Sequence, residues 1–172
     1  RSSDLKPIGI AFLGDIHAGN DGVDMRQLRK DLETIRDVEG LYVCGMGDYI
    51  DNYKPQAKSG SGPYHSLFPN PQEQLAYITS RLSIAKGKWL CLCEGNHDAW
   101  DAKWAGIDRL PGLAQHLETP YFTERGGTVF VQFDDVQYTI LVKHDFRGKS
   151  QINKGSAQSR MFADFPQWAN AD

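Results

Sequence analysis

Four short clusters carry the residue types that metal and phosphoryl chemistry use: Gly14-Asp15-Ile16-His17-Ala18-Gly19, Gly47-Asp48-Tyr49-Ile50-Asp51, Gly95-Asn96-His97-Asp98 and His144-Asp145. Each stands where an apolar, strand-like run gives way to a polar loop. Two divalent ions held roughly 3.5–4 Å apart need hard or borderline ligands and a carboxylate that bridges them. Such a pair clamps the attacking and leaving oxygens of a phosphoryl displacement and lowers the pKa of a bound water to give a hydroxide nucleophile. The chain offers Asp15 and His17 to one ion, Asp48 as the bridge, Asn96 as a neutral oxygen for the second ion and His144 as its imidazole. Taken singly, each residue has a plainer reading. An Asp at a strand end is usually a turn or cap residue, a lone His a polar loop residue, and Asn96-His97 a turn. Four such coincidences, each at a strand end, favour the metal reading. His65 and His116 have no motif around them and are read as structural.

The elements that must position these clusters alternate strand and helix. Residues 8–13 form a continuous apolar run, as in a strand covered on both faces. Met25, Leu28, Leu32, Ile35 and Val38 recur at spacings of three and four, which predicts a helix capped by Asp24 and stopped at Gly40. A second strand over 41–44 leads into the Gly47-Asp48 loop and completes a parallel βαβ unit. Residues 52–69 read as an irregular loop, whose Tyr53, Tyr64, His65 and Phe68 are either substrate contacts or part of an ordinary surface insertion. A second helix begins at Pro71, with Asn70 as its cap and Glu73 placed to reach back; it carries Leu75, Ile78, Leu82 and Ala85 and ends at Gly87.

Residues 89–93 are a third strand, delivering Asn96 and His97. Residues 99–117 read as one or two helical pieces broken near Gly106 and Pro111, with Trp100 and Trp104 as core or cover. Strands over 128–133 and 136–142 flank a tight hairpin at Asp134-Asp135, and the second ends at His144. Loops at the carboxyl ends of strands in an open α/β sheet gather into one crevice, where ligands bind. The four clusters are therefore expected to converge.

Composition narrows the possibilities. At 172 residues, 40% apolar and 24% charged, the chain fits one globular domain spanning 1–172. A formal charge of -3 gives no global basic footprint, which argues against wholesale binding to nucleic acid or anionic membrane. No apolar run approaches the roughly 20 residues of a membrane span. Cys44, Cys91 and Cys93 lie in apolar runs with no Cys-x-x-Cys pair, favouring buried reduced thiols in a cytoplasmic protein over a disulfide framework. Residues 146–163 hold Arg147, Lys149, Lys154 and Arg160 and no acidic residue. That strip is either a solvated face or a contact surface for a phosphate backbone.

Together GDIHAG, GMGDYID, GNHD and the later His144 resemble the calcineurin-like metallophosphoesterase family, over nearly the whole chain. The resemblance implies an α/β fold, a two-sheet β-sandwich flanked by helices, with a dinuclear site at the strand ends. It implies Asp15, His17, Asp48, Asn96 and His144 as metal ligands and His97 as the catalytic histidine that contacts phosphate and assists the leaving group. Asp51 matches the carboxylate that orients that histidine, and Asp98 fits the motif without a defined role. Mn²⁺ is the expected metal, with Fe, Zn or Ni as alternatives.

Two departures bear on the expectation. The family closes its site with a Gly-His-x-His turn that this chain lacks, so the domain is expected to be C-terminally incomplete, short of its last strands. Asn52 stands where Ser/Thr protein phosphatases place a phosphate-gripping arginine, which favours a phosphodiesterase. The expected reaction is metal-dependent hydrolysis of a phosphodiester by a metal-bound hydroxide. The rivals are a nuclease of the same family, with Arg147 and Lys149 binding the nucleic acid substrate, and a non-catalytic scaffold. Retention of Asn96 and His97 favours catalysis over the scaffold.

Overall fold

The apolar runs pair as strands, but the first, over residues 9–13, lies at the edge of its sheet with none of its residues buried and Phe12 exposed, so it is not covered on both faces as expected. The computed structural model describes residues 7–52, 68 and 70–145. Strands β1 (Gly9–Leu13), β2 (Leu41–Gly45), β3 (Trp89–Cys93) and β4 (Tyr121–Phe122) form a parallel sheet in that order. β5 (Gly127–Phe133) and β6 (Val136–Val142) form a second, antiparallel sheet, with Phe133 opposite Val136 across the turn. Helices α1 (Met25–Asp37), α2 (Pro71–Leu82), α3 (Ala99–Ala105) and α4 (Leu110–Leu117) complete the described elements, with a 3₁₀ turn at Ser83–Ala85 after α2. The chain is thus mixed α/β: a parallel sheet flanked by helices, with a second sheet.

Side chains alternate across a strand, so neighbouring residues serve different layers. Val43 and Leu92 pack with Leu28, Leu32, Ile35, Ile78, Leu82, Leu113 and Leu117 from the helices. Cys44, Cys91 and Cys93 pack instead with Val142, Val129 and Ile140 of the hairpin and with Phe122 of β4. The three thiols are the small, apolar filling between two sheets, and all are free. Each fully buried Leu in the helical layer contributes roughly 1.5–3 kcal/mol relative to exposure.

Local chemistry sets the helix ends. The Asp24 carboxylate accepts from the N–H groups of Arg26 and Gln27 at the start of α1. Asn70 Oδ1 accepts from Glu73 N at 3.0 Å at the start of α2. Each such cap is worth about 1 kcal/mol. Gly106 ends α3 in the left-handed conformation, as expected of a breaker. Pro111 does the reverse: it lies in the first turn of α4, where its missing N–H costs nothing, so it helps start that helix. β4 was not expected, since two residues are too short for any periodic signal. No described helix is long and apolar enough to cross a membrane. Tyr53, Tyr64, His65, Arg147, Lys149, Lys154 and Arg160 lie outside the described residues.

Candidate metal centre

The loops after β1 and β2 stay zipped beyond their strands. Asp15 N donates to Gly47 O at 3.0 Å, His17 N to Asp48 O at 2.9 Å and Ala18 N to Tyr49 O at 3.0 Å. Within this ladder Asp15, His17 and Asp48 take φ values of 51°, 48° and 55°. A left-handed backbone costs a non-glycine residue on the order of 1 kcal/mol and persists only where the surroundings impose it. Three candidate ligands thus share the strained stretch.

Two glycines let the loops close on one another. A Cβ on Gly47, itself at φ 95°, would sit 2.5 Å from Gly95 N and 2.9 Å from His144 Nδ1. A Cβ on Gly95 would collide with the carboxylate and N–H of Asp48. Asp98 ties the same loops together, accepting from Asp48 N at 2.7 Å, Gly95 N at 3.0 Å and Tyr49 N at 3.1 Å. Burial pushes the Asp98 carboxyl up to about 7, with Asp48 adding to the rise and the three backbone donors opposing it.

At the centre lies Asp48. His144 Nδ1 is 2.7 Å from Met46 O, and because a carbonyl can only accept, Nδ1 carries the proton. Nε2 of His144 therefore faces Asn96 Oδ1 at 3.1 Å and Asp48 Oδ2 at 3.3 Å. Three lone-pair atoms that converge need a cation or a proton between them. Without a metal a proton serves: the hydrogen bond with Asp48 raises the His144 imidazole to about 9, against the effect of burial. Burial acts to raise Asp48 too, but His144 and the His97 backbone N–H outweigh it and hold that carboxyl below its usual value.

His17 approaches the same oxygen. Its Nε2 lies 3.7 Å from Asp48 Oδ2 and 3.9 Å from Asp15 Oδ1. Its Nδ1 is buried without a hydrogen-bond partner among the described residues, 3.4 Å from Asp51 Oδ1. Two ligands about 2.1 Å from one ion at tetrahedral or octahedral angles lie roughly 3.0–3.4 Å apart. The His144 Nε2 contacts at 3.1 and 3.3 Å fall in that range, whereas those of His17 Nε2 at 3.7 and 3.9 Å are wider. Among the described residues, two groups have donor atoms all within 4.8 Å of one another: Asp15, Asp48 and His144, and His17, Asp48 and His97. Both contain Asp48. They leave Asp15 beside His17, at 3.9 Å, while also bringing it within 4.8 Å of His144, and they bring His97 within ligand range.

His97 is held from several directions. Its N–H donates to Asp48 Oδ1 at 2.9 Å, and its Nδ1 lies 2.5 Å from Asp51 O. Asn52 Nδ2 donates to His97 O at 2.9 Å, while Asn52 N donates to Gln74 Oε1. The His97 ring stands edge-on to His17, centroids 4.5 Å apart, and stacks on Trp100 at 4.0 Å and 27°. Asp51 thus meets His97 through its backbone carbonyl, and its carboxylate turns to His17. The contacts of Trp100 and Asn52 with His97, the part played by Gln74 and the clamping role of Asp98 were not read from the sequence. For Trp100 a signal existed, since residues three apart on a helix are neighbours.

A family model described as calcineurin-like phosphoesterase matches residues 8–165. No curated protein and no solved structure matches the chain.

Proposed function

Because the chain belongs to the calcineurin-like phosphoesterase family, a family of metal-dependent phosphoester hydrolases, we propose that it hydrolyses phosphodiesters with two divalent cations, Mn²⁺ first among them. The observation that carries this reading is the approach of two imidazoles from different loops, those of His17 and His144, to one oxygen of Asp48. When bound, the cations polarise phosphoryl oxygens and acidify a water. Asp48 would be shared between them, with Asp15, His17, Asn96 and His144 as the remaining ligands. The Met46 carbonyl keeps the His144 proton on Nδ1 and leaves Nε2 free to ligate, the arrangement that orients most metal-bound histidines.

His97 is the group assigned to the leaving oxygen. The Asp51 carbonyl holds a proton on His97 Nδ1, so the exchangeable proton is the one at Nε2, and protonated His97 donates it as the ester bond breaks. Asn52 supports a diester substrate. Its side-chain amide is engaged with His97 O, so position 52 supplies no cation for the extra charge of a monoester dianion. Three free, buried cysteines support a reducing, cytoplasmic setting.

The test compares bis-p-nitrophenyl phosphate with p-nitrophenyl phosphate in the presence of Mn²⁺. The diester should be the better substrate, and a chelator should abolish turnover. A preference for the monoester, or turnover indifferent to chelation, would refute the reading.

A further inference from the structure

We propose that Trp100 is a positioning residue for His97, setting the rotation of its imidazole through a stacked indole face. The proposal rests on the reading of His97 as the group that protonates the leaving oxygen. One hydrogen bond at Nδ1, to Asp51 O, fixes a single atom of the ring. The torsion that turns a histidine ring is broad and only weakly two-fold, so that bond alone leaves the plane free to tilt. The indole of Trp100, 4.0 Å away and 27° from parallel, removes that freedom. His17, edge-on at 4.5 Å and 78°, bounds the ring elsewhere.

Trp100 is well placed to act this way because it is carried on the turn that His97 itself opens. Trp100 N donates to His97 O at 3.2 Å, and Ala99 N to Gly95 O at 3.1 Å. The same carbonyl of His97 also receives Asn52 Nδ2. Backbone and ring are therefore fixed separately, the backbone by hydrogen bonds and the ring plane by the indole. A group that transfers a proton in the transition state works only within hydrogen-bond reach of the reacting oxygen, so a tilted ring loses rate more than binding.

The experiment compares Trp100→Leu, Trp100→Phe and His97→Ala with the wild-type chain on two diesters. Bis-p-nitrophenyl phosphate has a good leaving group with little need of an acid, whereas diphenyl phosphate needs one. For Trp100→Leu, kcat on diphenyl phosphate should fall about tenfold with KM little changed, and on bis-p-nitrophenyl phosphate only about twofold. Trp100→Phe keeps a flat face and should recover most of the loss. In histidine-labelled protein, the His97 ring protons should be shifted upfield by the stacked indole, return toward free-imidazole values in Trp100→Leu, and lie between in Trp100→Phe.

Should the leucine variant fail to fold, the phenylalanine variant's intermediate shift and kcat still decide. Equal losses on both diesters without recovery in Trp100→Phe, or His97 resonances that do not move, would overturn the proposal. If His97→Ala leaves diphenyl phosphate hydrolysis intact, the reading of His97 fails and this inference with it. Loss in His97→Ala with none in Trp100→Leu overturns the role of Trp100 alone.

Discussion

His144 and His17 approach the same oxygen of Asp48, yet they are held differently. The His144 ring has its far nitrogen anchored on Met46 O, its near nitrogen 3.3 Å from Asp48, and a side chain only 12% exposed. The His17 ring stands 3.7 Å away, its far nitrogen has no hydrogen bond among the described residues and lies 3.4 Å from Asp51, and its neighbour Asp15 is 76% exposed. The His144 ring is fixed by protein contacts on both nitrogens, whereas the His17 ring is held by longer ones. Preorganisation of this kind lowers the cost of binding. The comparison teaches that one cation position should fill before the other.

Removing what the two sides share should have the largest effect. Asp48→Ala should lower kcat on the order of 10³-fold, and a loss of less than about tenfold would contradict its place at the centre. Removing one side should reveal the asymmetry. His144→Ala should weaken the tighter cation by at least about 100-fold, and Asp15→Ala should weaken only the looser one, by about tenfold. Titration calorimetry checks this, and equal losses would erase the distinction.

Asp98→Asn should act on both sides at once, through the loops. Its carboxylate accepts three backbone N–H bonds through both oxygens, and an amide nitrogen in place of one oxygen would face donors with a donor. Urea unfolding should show a loss of roughly 1–3 kcal/mol. Unchanged stability would show that the loops do not depend on this clamp.

The smallest effect is a pH dependence confined to the His144 side. In the chelated protein His144 titrates at about 9, above its ordinary 6.5, because of Asp48. A raised imidazole contributes stability that is fully present below pH 6.5 and is lost as pH rises through about 9. The melting temperature of chelated protein should fall over that window. A divalent cation displaces the proton, so with metal present the fall should vanish. A fall of equal size with and without metal would contradict it.

Much of this arrangement was legible in the sequence, and for physical reasons. An apolar run ends where polar groups return, so β1, β2 and β3 marked the loops that carry Asp15, Asp48 and Asn96, although only β2 and β3 bury residues as the runs suggested. α1 and α2 announced themselves through their apolar period and through Asp24 and Asn70. Less legible were features set by backbone turns. Asp51 meets His97 by its carbonyl and His17 by its carboxylate, a division governed by loop geometry that includes Asn52 at φ 39°. Asp98 fitted the motif without a defined role, and only the fold shows it buried among three N–H donors. Pro111 looked like a break because a proline that starts a helix and one that stops it are the same letter.

Electron paramagnetic resonance of the wild-type chain titrated with Mn²⁺ tests the central claim most directly. Two Mn²⁺ ions about 3.5–4 Å apart and joined through Asp48 should give an exchange-coupled spectrum at two ions per chain. That signal should be absent from Asp48→Ala and appear in the wild type only after the first ion has bound. Isolated-ion spectra at every ratio, or coupling that survives in Asp48→Ala, would contradict it.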